Sequence, residues 1–327
     1  MRDTLSLVIA SHNRGARIGP TLASVFTQTR LPDEVLVFND GGSPDTRAYI
    51  AASFPSVRVV DGVGGNAGAA RNLGAQHASS SLVMFLDDDD QLHPDAVDTL
   101  LGLHRAFPEA VAAFADHTFT DRVTGAHVAN HHRDVASFHR IAQARPVRVG
   151  PEGRLFDRRL YYPMLWGGLL QQPWLVRRDV FLALGGFDTA FRSNEDWELY
   201  LRLVHAHAIA LTDHVISDHI VEPDRAHVSR SANLTDTSRE IIRKHVRLAL
   251  RGLDVRAAGI LLRRLGRHYK TDGDMLLHSA PGAAWRAYLR SLRTWPFDHV
   301  VVARALVILP IRLATGGQTG AHNRPPV

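Results

Sequence analysis

Through the first 120 residues, short and nearly continuous apolar runs alternate with amphipathic stretches. Leu5–Ala10, Glu34–Phe38, Val57–Val60, Leu82–Leu86 and Val111–Ala115 read as strands. Between them, Ala16–Thr27, Pro44–Ser53, Ala67–Ala78 and Pro94–Phe107 read as helices. In the first of these, Ile18, Leu22, Val25 and Phe26 share one face. Strands this apolar, joined by helices, predict βαβ units and a mostly parallel sheet covered on both faces. Residues 121–165 lose periodicity and are rich in His and Arg, the pattern of an insertion or mobile loop. Regularity returns at Leu169–Val176. A short helix over Asp179–Leu184 follows and stops at Gly185-Gly186. A longer helix opens at Asn194-Glu195-Asp196 and runs to about Ala206, and Ile209–Leu211 and Val215–Ile220 read as two strands. From Thr235 on, the pattern is helical, with Arg on one face and Leu, Ile and Val on the other; Asn323–Val327 reads as a disordered end.

Composition narrows this picture in a few places. The 327 residues are 45% hydrophobic, enough for one large or two modest domains. No cysteine is present, so neither disulfides nor thiolate zinc sites enter. No N-terminal signal is visible. The nearest approach to a membrane span, Val300–Ala314, is interrupted by Arg304, Pro310 and Arg312, so a cytoplasmic location is expected. The net charge of +5 is uneven. From Arg239 onward there are 16 Lys+Arg against 5 Asp+Glu, and before it 22 against 28. The basic helices suit a solvated face, or peripheral contact with the anionic inner face of a membrane. No recognised nucleic-acid module accompanies the charge, so no nucleic-acid partner is expected.

Candidate chemistry gathers where strands end, which is where open α/β sheets bind ligands. Ser11-His12-Asn13-Arg14 follows the first strand, Asn39-Asp40 the second and Asp87-Asp88-Asp89-Asp90 the fourth. Four adjacent carboxylates repel one another unless a cation sits among them, and oxygen-only donors suit Mg²⁺ or Mn²⁺. Gly65-Asn66-Ala67-Gly68 opens a helix whose N–H groups suit negative charge. The dinucleotide fingerprint G-x-G-x-x-G does not follow the first strand, which argues against NAD. Asn194-Glu195-Asp196-Trp197-Glu198 is a second acidic cluster, at the start of a helix.

Six ordered motifs carry a resemblance. They are Val8-Ile9-Ala10-Ser11-His12-Asn13-Arg14; Val37-Phe38-Asn39-Asp40-Gly41; Gly65-Asn66-Ala67-Gly68 with Arg71-Asn72; Phe85-Leu86-Asp87-Asp88-Asp89-Asp90 with Pro94; Gly185-Gly186-Phe187-Asp188 with Phe191; and Glu195-Asp196 with Leu199 and Arg202. Over about residues 4–230 the chain resembles the family 2 glycosyltransferases. The resemblance implies a GT-A, Rossmann-like α/β fold: a mostly parallel sheet flanked by helices. A glycosyltransferase domain would span residues 1–234, with its nucleotide half at about 1–120 and its acceptor half at about 160–234. A basic helical extension would span 235–327.

The resemblance further implies a nucleoside-diphosphate sugar donor, a divalent cation (Mn²⁺ or Mg²⁺) and inverting transfer to an acceptor hydroxyl on a saccharide, glycolipid or small molecule. Its site residues carry over one by one. Ala10, Ser11, Asn13, Arg14 and Asp40 would meet the base and ribose, and Asn66 and Arg71 the base or a phosphate. Pro94 sets the register of the carboxylate run, which makes Asp89 the direct metal ligand and leaves Asp87 or Asp88 to a ribose or a water. All four positions are Asp, so Asp87 also stays a candidate ligand, as does His227. Asp196 would be the base, with Glu195 positioning it or the acceptor. Trp166 and Trp174 are candidates for an acceptor platform, and His93 reads as structural. The Gln-x-x-Arg-Trp motif of processive synthases is missing, since Gln171-Gln172-Pro173-Trp174 does not fit it; single addition follows. Two other readings stay open: a nucleotidyltransferase, which would need a lysine-bearing loop near the first strand, where neither Lys244 nor Lys270 falls, and a non-catalytic sugar-nucleotide-binding protein.

Overall fold

The computed structural model describes residues 3–135, 138–167, 170, 172–221 and 234–305. Its contacts divide the chain into two compact units, Met1–Leu234 and Thr235–Val327. Within the first, all the described strands join one sheet. They are β1 (Leu5–His12), β2 (Glu34–Asp40), β3 (Arg58–Gly62), β4 (Leu82–Asp87), β5 (Gln91–Leu92), β6 (Ala112–Asp121), β7 (His127–Val128), β8 (Arg148–Val149), β9 (Arg154–Phe156), β10 (Trp174–Arg177) and β11 (Ile209–Val221). The order is β3-β2-β1-β4-β10-β6-β11-β9-β8, with β5 on β11 and β7 on β6. The sheet is parallel from β3 through β4. β10 is antiparallel to both β4 and β6, so β4 and β6 run the same way, and β11 is parallel to β6.

The helices of this unit are α1 (Gly19–Phe26), α2 (Pro44–Ser53), α3 (Ala67–His77), α4 (Ala96–Ala106), α5 (His131–Asp134), α6 (His139–Ala142), α7 (Tyr161–Met164), α8 (Arg178–Ala183) and α9 (Glu195–Ala206). Alternation along the strands sorts the core. Leu5, Leu7 and Ile9 of β1 face α1 and α4 with Leu22, Val25, Leu100 and Leu103. The aromatic side chains of Phe85, Phe114, Trp174 and Tyr200 stack or meet edge to face nearby, with ring centroids 5.1–5.5 Å apart. Trp174 is 0% exposed, so it belongs to this core and not to an acceptor platform. Trp166 is half-buried, with the Arg140 guanidinium over its ring.

Two sequence expectations change here. The stretch over 121–165 is not structureless: β7, α5, α6, β8, β9 and α7 fall in it, and the β8–β9 hairpin adds to β11. Ile209–Val221 is one strand, not two. Its register shifts between Leu211 and Val215 and again before Asp218, where the polar residues Thr212-Asp213-His214 interrupt the apolar pattern.

The second unit contains α10 (Leu234–Arg251), α11 (Val255–Leu276), α12 (Pro281–Thr294) and α13 (His299–Ala303). Ala284, Tyr288, Val301 and Ala305 are buried together, packed by Leu276, Leu277 and Leu292. Asp274 draws Lys270, the Tyr288 hydroxyl and Arg304 onto one carboxylate. Among the described residues no helix is long and apolar enough to cross a membrane. Asn323–Val327 and the end of Val300–Ala314 lie outside the described residues.

Candidate active site

The carboxyl ends of β1, β2 and β4 open on a cleft of about 1,050 Å³. That is at the large end of the roughly 300–1,000 Å³ usual for small-molecule sites. Ala10, Ser11, Arg14, Asp40, Asn66, Arg71, the whole run Asp87–Asp90, Glu195 and Asp196 all line it. Asn13 does not: it sits at φ +52 beside β1, its amide 3.1 Å from His12 Nε2. His227 lies outside the described residues.

Local structure explains how each group is held. Asp40, at the end of β2, accepts hydrogen bonds from the Gly64 and Gly65 N–H groups at 2.6 and 3.4 Å, so it also fixes the loop into α3. Asn66 caps α3 by accepting from the Ala69 N–H, and its amide donates to the Thr189 carbonyl. Nearly two turns on, Asn72 donates to the Phe187 carbonyl and accepts from the Phe187 N–H, both at 2.8 Å. This clamp draws the Gly185-Gly186 turn onto α3. Gly186 has φ +64, and a Cβ there would lie 2.2 Å from Asn72 Oδ1, so glycine is required twice over. Arg202 of α9 pairs with the buried Glu198 and donates to the Leu184 and Gly186 carbonyls. The Gly-Gly-Phe-Asp and Arg202 motifs therefore set the position from which α9 begins, and Glu195-Asp196 is its first turn.

The carboxylates are not left to repel one another. Arg14 reaches Asp88 at 2.7 Å and Asp89 at 3.1 Å. Arg71, only 7% exposed, bridges Asp87 at 2.5 Å and Glu195 at 2.9 Å. Its burial would lower its pKa, but the charges of Asp87 and Glu195 outweigh that and raise it. With its amide oriented to suit its neighbours, Gln172 donates to Asp87 and accepts from Arg71, each at 3.1 Å. Asp90 turns toward His219 of β11, whose Nδ1 lies 2.8 Å away. Burial pushes Asp90 up to about 6 against the pull of His219. The Asp90 charge in turn lifts His219 to about 9. Burial also pushes Asp88 up, against Arg14. Asp196 rises to about 7, first through burial and then through the Glu195 charge. A carboxyl poised near neutrality can exchange protons with a substrate hydroxyl.

Sequence reasoning missed part of the lining: His117, His131, His219, Gln172 and Arg192. The abundance of histidines over 117–139 was the one signal for His117 and His131, and it carries no periodicity to place them at the cleft. Burial holds His117 down at about 2 and His131 down at about 4, with neighbouring imidazoles adding to the effect, so both are neutral. His93 is structural: its ring nitrogens lie 3.2 Å from the Val215 carbonyl and from Asp218.

A mostly parallel sheet flanked by helices, with carboxylates massed at the β4 end of a cleft, is the arrangement of the GT-A transferases. Comparison with known proteins agrees. The sequence matches the description "Glycosyl transferase family 2" over residues 6–181. This chain belongs to that family and is a glycosyltransferase, which sets aside the nucleotidyltransferase and non-catalytic readings. Among its relatives is an uncharacterized glycosyltransferase of Haemophilus influenzae, 26% identical over 79% of this chain and 83% of the relative. Another is the validoxylamine A glucosyltransferase of Streptomyces hygroscopicus subsp. limoneus. It is 30% identical over 74% of this chain, but this chain spans only 56% of that protein. In fold the chain is similar to residues 1–349 of S. aureus TarS, solved in complex with UDP-GlcNAc. The TM-score is 0.64 at 16% identity, covering 97% of this chain and 93% of that one.

Proposed function

We propose that this glycosyltransferase takes its sugar from a nucleoside-diphosphate sugar and passes it, with inversion and one unit at a time, to an acceptor hydroxyl. The observation that supports this most is convergence: Asp40, Asp87–Asp89 and the Arg71–Glu195–Asp196 group line one cleft. Ala10, Ser11, Arg14 and Asp40 take the nucleoside, and Asn66 and Arg71 lie along the path to the phosphates. This half of the cleft comes from about residues 1–120. The acceptor half, about 160–234, brings the base. The basic region 235–327 offers a peripheral contact to an anionic surface.

In a single displacement, one carboxylate takes the acceptor proton as the new bond forms. Asp196 fills that role. Its pKa near 7 leaves it partly ionised at neutral pH yet basic enough to accept a proton. Glu195 keeps it there: its charge raises Asp196, while its own carboxylate is tied to Arg71. Asp87 and Asp89 offer the all-oxygen donor set that fits Mg²⁺ or Mn²⁺, with Asp88 held against Arg14 beside them. Bound there, the cation would offset the charge that grows on the leaving nucleoside diphosphate. Arg14 pairs with both Asp88 and Asp89, which holds the two carboxylates in place side by side. The validoxylamine relative is named a glucosyltransferase, and TarS was solved with UDP-GlcNAc, so UDP- and other nucleotide-activated hexoses are the donors to try first. Saccharides, glycolipids and small polyols are the acceptor classes.

The test is a thermal-shift series of nucleotide sugars with and without Mn²⁺. One or more should raise the midpoint, and Mn²⁺ should enlarge the rise. If no nucleotide sugar shifts the wild-type chain in either condition, the donor assignment fails.

A further inference from the structure

Register across the sheet brings a second donor cluster to the rim of the cleft. Trp174 of β10 pairs with Phe85 of β4 on one side and Phe114 of β6 on the other. Two residues further along these co-directional strands lie Asp87 and Asp116. Asp116 and His117 thus stand at the same level of the sheet as the carboxylate run. The helix α5 places His131 against them, its ring stacked on His117 with centroids 4.4 Å apart. One ligand atom from each of Asp116, His117 and His131 lies within 4.8 Å of the other two.

We propose that Asp116, His117 and His131 form a site for a borderline transition-metal dication, Zn²⁺ foremost, separate from the Asp87–Asp89 donors. Two imidazoles and one carboxylate are a donor set that such ions prefer and that Mg²⁺ does not. Ligand atoms around one tetrahedral zinc stand roughly 3.3 Å apart, given zinc–ligand distances of about 2 Å, so modest side-chain rotation closes the site. The geometry has the marks of one. His117 is 2% exposed, and neither its Nδ1 nor that of His131 has a protein hydrogen-bond partner. Leaving a buried polar nitrogen unsatisfied costs about 1–3 kcal/mol, and this cluster holds two such nitrogens. Asp116 is oriented as metal-bound carboxylates are, by backbone N–H groups: those of His117 at 2.8 Å and His132 at 3.1 Å. His117 and His131 line the cleft, so an ion has a way in. Bound, it would pin α5 to β6 and stiffen that wall.

Co²⁺ is the probe, because its visible d–d absorption reports imidazole coordination directly. Chelator-treated full-length protein is titrated with Co²⁺, and Zn²⁺ is then added to displace it. Wild type and Asp89→Asn should both develop the band, and Zn²⁺ should abolish it and raise the melting midpoint. His131→Ala should weaken uptake by at least the roughly 10–100-fold that losing even an outer partner costs a metal site. His117→Ala should do the same, with circular dichroism confirming its fold; His131 is only half-buried and guards against a folding failure there. No band in wild type, a band that survives both histidine substitutions, or a band lost in Asp89→Asn would each overturn the assignment.

Discussion

Replacing Asp196 by Asn separates catalysis from stability in a way that follows from the pKa of this one group. Burial and the Glu195 charge move the carboxyl from its ordinary 3.8 to about 7. The base must be ionised to work, so the wild-type transfer rate should climb with pH and level off above about 7. At pH 6 only about a tenth of the molecules are ionised, and the rate should be about a tenth of its plateau. Asn cannot take the proton, so transfer should fall by the roughly 10²–10⁴-fold typical of losing a general base, at every pH. Donor binding should survive.

Stability should move the other way. The folded chain holds the Asp196 proton at pH values where the unfolded chain has released it. Folding therefore loses stability as pH rises from about 4 to about 7, by at most about 4 kcal/mol at 1.36 kcal/mol per unit. Asn carries no charge to bury, and its carbonyl can still accept the Trp197 N–H that Asp196 accepts now. The variant should match wild type near pH 4 and melt several degrees higher at pH 8. Thermal melts across that range, beside initial rates with a radiolabelled nucleotide sugar, read both effects. Near-normal turnover would remove Asp196 as the base. A melting difference that stays flat with pH, or is larger in acid, would refute the buried-carboxylate argument.

Three further substitutions probe other links. Asp89→Asn should weaken Mn²⁺-dependent nucleotide binding about tenfold or more while leaving metal-free binding alone; calorimetry with nucleoside diphosphate would show it, and unchanged Mn²⁺ dependence would reject Asp89 as a ligand. Gly186→Ala forces a side chain into a left-handed position and onto Asn72; it should cost roughly 1–3 kcal/mol in a urea melt and lower turnover more than donor affinity, because the loop sets where α9 starts. Trp174→Ala should cost about 3–5 kcal/mol through the cavity it leaves between Phe85, Phe114 and Tyr200. A loss under 1 kcal/mol would mean the tryptophan is not the core residue its burial indicates.

Much of the architecture was legible because period and polarity are local. The early strands are apolar throughout, and that alone marks a buried parallel sheet. The strand boundaries shifted where local pattern competes with pairing: β11 reads as two pieces because Thr212-Asp213-His214 breaks the apolar run, yet partners on both sides hold it as one strand. The 121–165 stretch failed for the converse reason. Its short elements are stabilised by β6 and β11 and carry no period of their own. Trp174, a candidate for an acceptor platform, carries no local mark of burial, whereas its place in the sheet, between β4 and β6, buries it.

The carboxylate run shows where sequence reasoning about charge runs out. Four adjacent Asp imply a cation, and that inference is sound as electrostatics. It does not say how much of that positive charge comes from side chains of the protein itself. Arg14 comes from the turn after β1, Arg71 from α3 and His219 from β11, and each takes a different part of the run. These pairings are contacts between distant segments, and no spacing rule in the sequence encodes them. They also divide the four residues. Asp90 pairs with His219 of β11, Asp87 faces α9 through Arg71 and Glu195, and Asp88 and Asp89 share Arg14. A dication arriving at Asp87 and Asp89 would therefore compete with Arg14 at one end and lean on the Arg71–Glu195 bridge at the other. Glu195 directly raises the pKa of Asp196. On the proposed mechanism, a dication at Asp87 and Asp89 would offset the carboxylate charges that raise Asp196, so the pH midpoint of transfer should fall as the Mn²⁺ concentration rises; a midpoint that stays fixed across Mn²⁺ concentrations would refute the coupling.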